Sequence, residues 1–199
     1  MFNEKQRSIY ETVNELVFDV DLKYIESEEY YTKFRGISGK EEVDSILCDH
    51  SRRILKERNG TCYETLVLLD LDTGEEILTI HSPKEYEIVY SEDDERIIRD
   101  AVDNKTRIIA LHNHPTGSLA SINDAVSALK RGYTKGITCG HNGSVSIYYP
   151  SEYEYSLADI DAIYDIIQNE ILLEKSKKKI DSLWKKILSE FGIRIHERR

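Results

Sequence analysis

The sequence predicts an α/β protein. Two apolar runs, Thr61 to Leu71 and Arg107 to His114, read as strands entering a buried sheet. Segments whose apolar residues recur at helical spacing lie between and around them, and Gly, Asn and Pro punctuate the junctions.

The elements follow in order. Residues 1–40 mix acidic residues with Tyr10, Phe18, Tyr24, Tyr30, Tyr31 and Phe34, which suits short helices packed as an N-terminal extension, with Gly36 and Gly39 marking a break. From Glu41 to Arg58, the positions Val43, Ile46, Leu47, Ile54 and Leu55 share one helix face, and Asn59-Gly60 is the stop signal. After the strand from Thr61 to Leu71, Asp72-Thr73-Gly74 turns the chain so that Glu76 to His81 returns as the second strand of a hairpin.

Glu92 to Val102 has helical spacing through Ile97, Ile98 and Val102, and Arg107 to His114 follows as a strand. Ile122 to Arg131 is expected as a helix closed by Gly132. Gly136 to Cys139 and Ser144 to Tyr149 flank His141-Asn142-Gly143, a hairpin-turn signal. Beyond Pro150 the character changes. Ile160, Ile163, Tyr164, Ile167 and Ile171, then Ile180, Leu183, Trp184, Ile187 and Leu188, predict one long helix or two consecutive ones over 151–199 that pack on the domain, on a second copy or on a partner. There is no internal repeat and no low-complexity linker.

Composition narrows the class. A chain of 199 residues can bury one substantial core with helical segments attached, and 32% charged residues fit solvated helices. The net charge of -10 argues against a general nucleic-acid binder, which needs a concentrated Lys/Arg surface. The Lys175-Ser176-Lys177-Lys178-Lys179 run is read as the solvated face of a helix. No apolar run approaches the ~18 residues that span a bilayer, and the charged N-terminus lacks a signal-peptide core, so a cytoplasmic protein without membrane contact is expected. Cys48, Cys62 and Cys139 are odd in number and widely spaced, which points to reduced thiols.

The chemistry concentrates in His112-Asn113-His114-Pro115, Ser121 and Asp124. Histidines two apart on a strand project from one face, and a turn through Thr116-Gly117-Ser118 followed by a helix can return Asp124 toward them. Two His and one carboxylate suffice for a catalytic zinc, which needs three protein ligands and an open position. A second reading stands beside this one: Ser-x-x-Asp is a variant capping box, with Ser121 at the N-cap and Asp124 committed to its amide. Cys139-x-His141 is read as a strand end entering a turn, and His50, His81 and His196 as surface or helix-end residues.

Taken together, His-x-His-Pro, the Gly turn and Ser-x-x-Asp resemble the JAMM motif of MPN-domain metalloproteases, written as Glu, then His-x-His, about seven residues, then Ser-x-x-Asp. The wording His-Asn-His-Pro-Thr-Gly is most similar to bacterial RadC-type members and the JAB-like domains of phage and mobile elements. The resemblance covers residues 41–149, with its closest match at 109–124, and departs from the motif in one place: six residues, Pro115 to Ala120, separate His114 from Ser121.

The resemblance implies a mixed central sheet flanked by helices over a catalytic domain at 41–150, and a Zn2+ ion held by His112, His114 and Asp124. It also implies an upstream glutamate on a strand that follows a helix. Glu64 fits, while Glu76, Glu85 and Glu87 lie later, in turns or the returning strand. By the resemblance Glu64 takes a proton from the attacking water and passes it to the leaving amine, and Ser121 donates a hydrogen bond to the oxyanion. The implied function is hydrolysis of peptide or isopeptide bonds in a protein or peptide substrate, such as a ubiquitin-like tail or a phage polyprotein. Two other functions are weighed against it: a non-catalytic scaffold of the same fold that recruits a partner through its C-terminal helices, and action on nucleic acid, which the acidic balance disfavours.

Overall fold

The structure is a computed structural model and describes residues 18–150 and 192–198, together with isolated positions between 156 and 189. It is an α/β fold in which helices flank a six-stranded mixed sheet. Helices α1 (Leu22–Ile25) and α2 (Glu28–Thr32) precede α3 (Glu41–Arg58), β1 (Tyr63–Asp70), β2 (Glu76–Glu85) and α4 (Glu92–Asp103). Strand β3 (Ile108–His114), helix α5 (Ile122–Arg131), and strands β4 (Lys135–Gly140), β5 (Val145–Tyr149) and β6 (Arg194–Arg198) complete it.

The strand order is β2-β1-β3-β4-β5-β6. Only β3 and β4 run parallel, and α5 makes the crossover that a parallel pair requires. Both sheet faces are covered, which explains why β1 and β3 read as continuous apolar runs rather than as alternating ones. On one face Val67, Leu69, Ile109, Leu111 and Ile137 pack with Leu47, Ile54 and Leu55 of α3. Ile25, Tyr30, Phe34 and Ile37 join that same core, so the described part of the N-terminal extension is built into the domain. On the other face Leu66, Leu68, Ile108 and Ala110 meet Ile98 of α4 and Ala128 of α5.

Local chemistry sets the helix ends. Helix α3 begins with Glu41, Glu42 and Asp44 and ends with Lys56 and Arg58, each set placed against the opposite end of the helix dipole. Helix α5 stops where Gly132 takes the left-handed conformation.

Two elements differ from the sequence expectation. Strand β2 runs to Glu85 rather than ending at His81, and it passes through Pro83. A proline is tolerated there because β2 is the sheet's edge and is bulged: Tyr63 pairs with Glu85 and Thr65 with His81, so Ser82, Pro83 and Lys84 stand opposite the single residue Glu64. The second difference is β6, which lies in the stretch expected to be helical. It adds to the far edge antiparallel to β5, with His196 opposite Ile147 and only Ile195 packed on the core. His196 lies on the surface, as expected, but on this strand. The apolar stripe from Ile160 to Leu188, and with it the expected dimer or partner surface, lies outside the described residues, as does the Lys175–Lys179 run. Among the described residues, no helix is long and apolar enough to cross a membrane.

Candidate metal centre

Strand β3 ends in the two histidines. His112 sits between Leu66 of β1 and Thr138 of β4 in the sheet, and the pleat puts its ring on the same face as that of His114. The two Nε2 atoms lie 3.0 Å apart. Asp124, in the first turn of α5, brings Oδ1 to 3.3 Å from His112 Nε2 and Oδ2 to 3.3 Å from His114 Nε2. Both imidazoles are buried and the carboxylate is largely so.

The two imidazole nitrogens, 3.0 Å apart, are close to the about 3.3 Å that separates neighbouring ligands on a tetrahedron with metal–ligand bonds of about 2.0–2.1 Å, and each faces a different oxygen of Asp124 at 3.3 Å. The donor set, two imidazole nitrogens and one carboxylate oxygen, suits Zn2+ and leaves a fourth position for substrate or water. Among the described residues these three side chains form the one His/Cys/Asp/Glu group spaced to hold a metal ion.

The turn from Pro115 to Ala120 fixes the histidine that precedes it. His114 Nδ1 donates to the Ser118 carbonyl at 3.1 Å, so Nε2, which faces Asp124, is the nitrogen that a metal would take once its proton is lost. The Gly117 amide donates to the His114 carbonyl at 3.0 Å, closing a tight turn. Gly117 has φ +67, and a Cβ there would sit 2.4 Å from the Asn142 side chain, so only glycine fits. Ser144 Oγ donates to the Gly117 carbonyl, and Ser146 Oγ, itself paired with Thr138 Oγ1, accepts the Ala120 amide at 3.1 Å. The short spacer is thus held against the β4–β5 hairpin along its length.

Capping and convergence turn out to be compatible. The Ser121 amide donates to Asp124 Oδ2 at 2.5 Å and the Asp124 amide donates to Ser121 Oγ at 3.3 Å, a reciprocal cap. The described residues contain two further Ser-x-x-Asp caps, Ser91 with Asp94 and Ser156 with Asp159. In both, the serine hydroxyl also donates to its own aspartate. Ser121 makes no such bond, because the Asp124 carboxylate is turned toward the imidazoles, so the Ser121 hydroxyl proton stays available.

Glu64 completes the group from β1. It lies on the face of Leu66 and Leu68, the face of the imidazoles, and is 7% exposed. Burial raises its pKa, opposed by the nearby His114 and His112. Burial pulls His114 the other way, yet the Asp124 carboxylate, with Glu64 behind it, carries the ring up to about 9. Asp124 is held well below the usual carboxylate range: burial pushes it up, but the fields and hydrogen bonds of both histidines outweigh that. The Tyr148 ring, which crosses over Gly136 where any Cβ would clash, stands edge-on to His112 at 6.5 Å and walls the site.

No family model, curated protein or solved structure matches this chain. His112, His114 and Asp124 converge, Glu64 stands beside them, and Ser121 begins the helix that delivers Asp124. Of the other glutamates, Glu76 is engaged by Arg53 at 2.9 Å, and Glu85 and Glu87 are exposed.

Two contributors escape the sequence reading. Asn113 and His141 are fully buried and hydrogen-bonded to each other at 3.1 Å. His141 is therefore more than a turn residue. Burial lowers its pKa, and its Nδ1 donates to the Phe18 carbonyl at 2.6 Å. The available signal was a polar residue between the two histidines, on the strand face expected to be apolar.

Proposed function

We propose that this protein is a zinc-dependent hydrolase of peptide or isopeptide bonds, of the JAMM type that its motif resembles. The observation that carries the reading is the convergence of His112 Nε2, His114 Nε2 and the Asp124 carboxylate, 3.0–3.3 Å apart, beside a buried glutamate. His112, His114 and Asp124 would hold a zinc ion, which when bound would supply Lewis-acid chemistry, lowering the pKa of a water toward ~7 and polarising a carbonyl.

The chain's own groups do the rest. Glu64 is buried and burial raises its pKa, so it is suited to accept a proton from the attacking water and return it to the leaving nitrogen. Ser121, whose hydroxyl proton is not spent on its own aspartate, donates to the oxygen that gains charge as the carbonyl is attacked. Asp124 faces both Nε2 atoms, and the Ser118 carbonyl, which accepts from His114 Nδ1, holds that ring with Nε2 toward the carboxylate. The substrate class is a protein or peptide with an extended segment at the cleaved bond. A cytoplasmic setting is part of the proposal, supported by three free cysteines, two of them buried.

The test uses the full chain loaded with zinc and a library of internally quenched peptides. Wild-type protein is expected to cleave members of the library, and Glu64→Gln to retain zinc while its kcat falls by at least about 100-fold. Glu64→Gln with full turnover would contradict the assignment. Zinc-loaded protein that cleaves no peptide and no isopeptide-linked conjugate favours the scaffold reading instead.

A further inference from the structure

The main-chain ladder between β1 and β3 stops short of the catalytic glutamate. It runs from Asp70 opposite Ile108 to Leu66 opposite His112, and no ladder pair continues it to Glu64. On its other side Glu64 faces the three-residue bulge of β2. A glutamate at a frayed strand end beside a bulge is poorly fixed by the sheet alone.

The side chain of Asn113 takes over where the ladder ends. Its Oδ1 accepts the Thr65 amide at 2.7 Å and its Nδ2 donates to the Tyr63 carbonyl at 3.1 Å, so one carboxamide holds the backbone on both sides of Glu64. The other Nδ2 hydrogen points to His141 Nε2 at 3.1 Å, and His141 Nδ1 donates to the Phe18 carbonyl. This chain of bonds allows a single orientation of the amide. His141 Nε2 must accept, hence Nδ2 faces it, and Oδ1 is left to face the Thr65 N–H.

From this geometry we infer that Asn113 is a positioning residue for Glu64: by clamping Tyr63 and Thr65 from the ligand-bearing strand, it sets the glutamate's distance from the imidazole pair. The inference rests on the proposed hydrolytic reading. Metal binding and proton transfer are thereby fixed by one strand, with His112 and His114 on one face of β3 and Asn113 on the other. Arg58 adds a weaker hold, donating to the Glu64 carbonyl at 3.4 Å.

The experiment is a double-mutant cycle on the zinc-loaded full chain, comparing wild type, Asn113→Ala, Glu64→Gln and the double variant, with the best-cleaved quenched peptide as probe. Zinc affinity is read by chelator competition and Thr65 amide exchange by NMR. Asn113→Ala is expected to keep zinc affinity and KM within about threefold while kcat falls at least about tenfold, and to slow Glu64→Gln no further. Thr65 amide exchange should accelerate at least about tenfold, a readout independent of activity. If Asn113→Ala does not fold, Asn113→Thr, which keeps one hydrogen-bonding group and suits a strand, carries the same expectation at smaller size.

An unchanged kcat overturns the inference. So does a kcat loss that persists in the Glu64→Gln background, or one that tracks a loss of zinc. Wild-type protein that binds zinc and cleaves nothing overturns the hydrolase reading and the positioning role of Asn113 with it, whereas wild-type cleavage matched by Asn113→Ala overturns the role of Asn113 alone.

Discussion

The amide of Ser121 reaches Asp124 Oδ2 at 2.5 Å while that same oxygen stands 3.3 Å from His114 Nε2, so the carboxylate that caps α5 is also the one that faces the imidazoles. A cap and a ligand can share a side chain here because each carboxylate oxygen has room for two partners. The positive end of the α5 dipole also favours the ionised form. The two roles can be separated by mutation. Asp124→Asn removes the anionic ligand and should weaken zinc binding by more than about 100-fold. Ser121→Ala should cost about 1 kcal/mol of stability through the lost cap while leaving zinc affinity within about threefold. Thermal melts and chelator competition on the two variants check both expectations.

The imidazole–carboxylate cluster holds a proton that a bound zinc would have to displace. His114 titrates at about 9 against an ordinary 6.5, because Asp124 and Glu64 outweigh the effect of burial. A raised pKa means that the folded state holds this proton more tightly than the unfolded chain does. The stability so gained by the metal-free protein is complete below pH 6.5 and is lost as pH rises toward 9. Apparent zinc affinity should move the opposite way, rising up to about tenfold per pH unit until His114 has lost its proton. Calorimetric zinc titrations between pH 6.5 and 9 in buffers of different ionisation enthalpy count the protons released, and a pH-independent affinity would contradict this picture.

The turn before α5 depends on one glycine for two separate reasons. Gly117→Ala meets both a left-handed backbone and the Asn142 side chain at 2.4 Å. The backbone penalty alone is about 1–2 kcal/mol. The double variant Gly117→Ala/Asn142→Ala should recover the steric part and leave the backbone part. Urea denaturation of the single and double variants measures the difference, and equal stability of the two would show that Asn142 imposes no constraint.

Much of this arrangement is visible in local sequence. Helices α3 and α5 end where Asn59-Gly60 and Gly132 say they should, because capping and left-handed glycine act within a few residues. The convergence of His112 with His114 follows from the pleat alone. What stayed hidden is long-range. Strand β6 has one core-facing residue, Ile195, and gains its hydrogen bonds from β5, more than 40 residues earlier. The bonds of Asn113 reach Tyr63, Thr65 and His141, 50, 48 and 28 residues away, and no local pattern encodes them. Whether Asp124 caps the helix or faces the imidazoles looked like a choice in the sequence, and only the geometry of the carboxylate shows that it does both.

Zinc K-edge X-ray absorption on full-length protein loaded with one equivalent of zinc tests the central claim most directly. The account predicts a four-coordinate shell of nitrogen and oxygen at about 2.0–2.1 Å with the outer-shell scattering of two imidazoles, lost in a His112→Ala/His114→Ala variant. A sulfur shell at about 2.3 Å, or an unchanged spectrum in that variant, would place the metal elsewhere and contradict it.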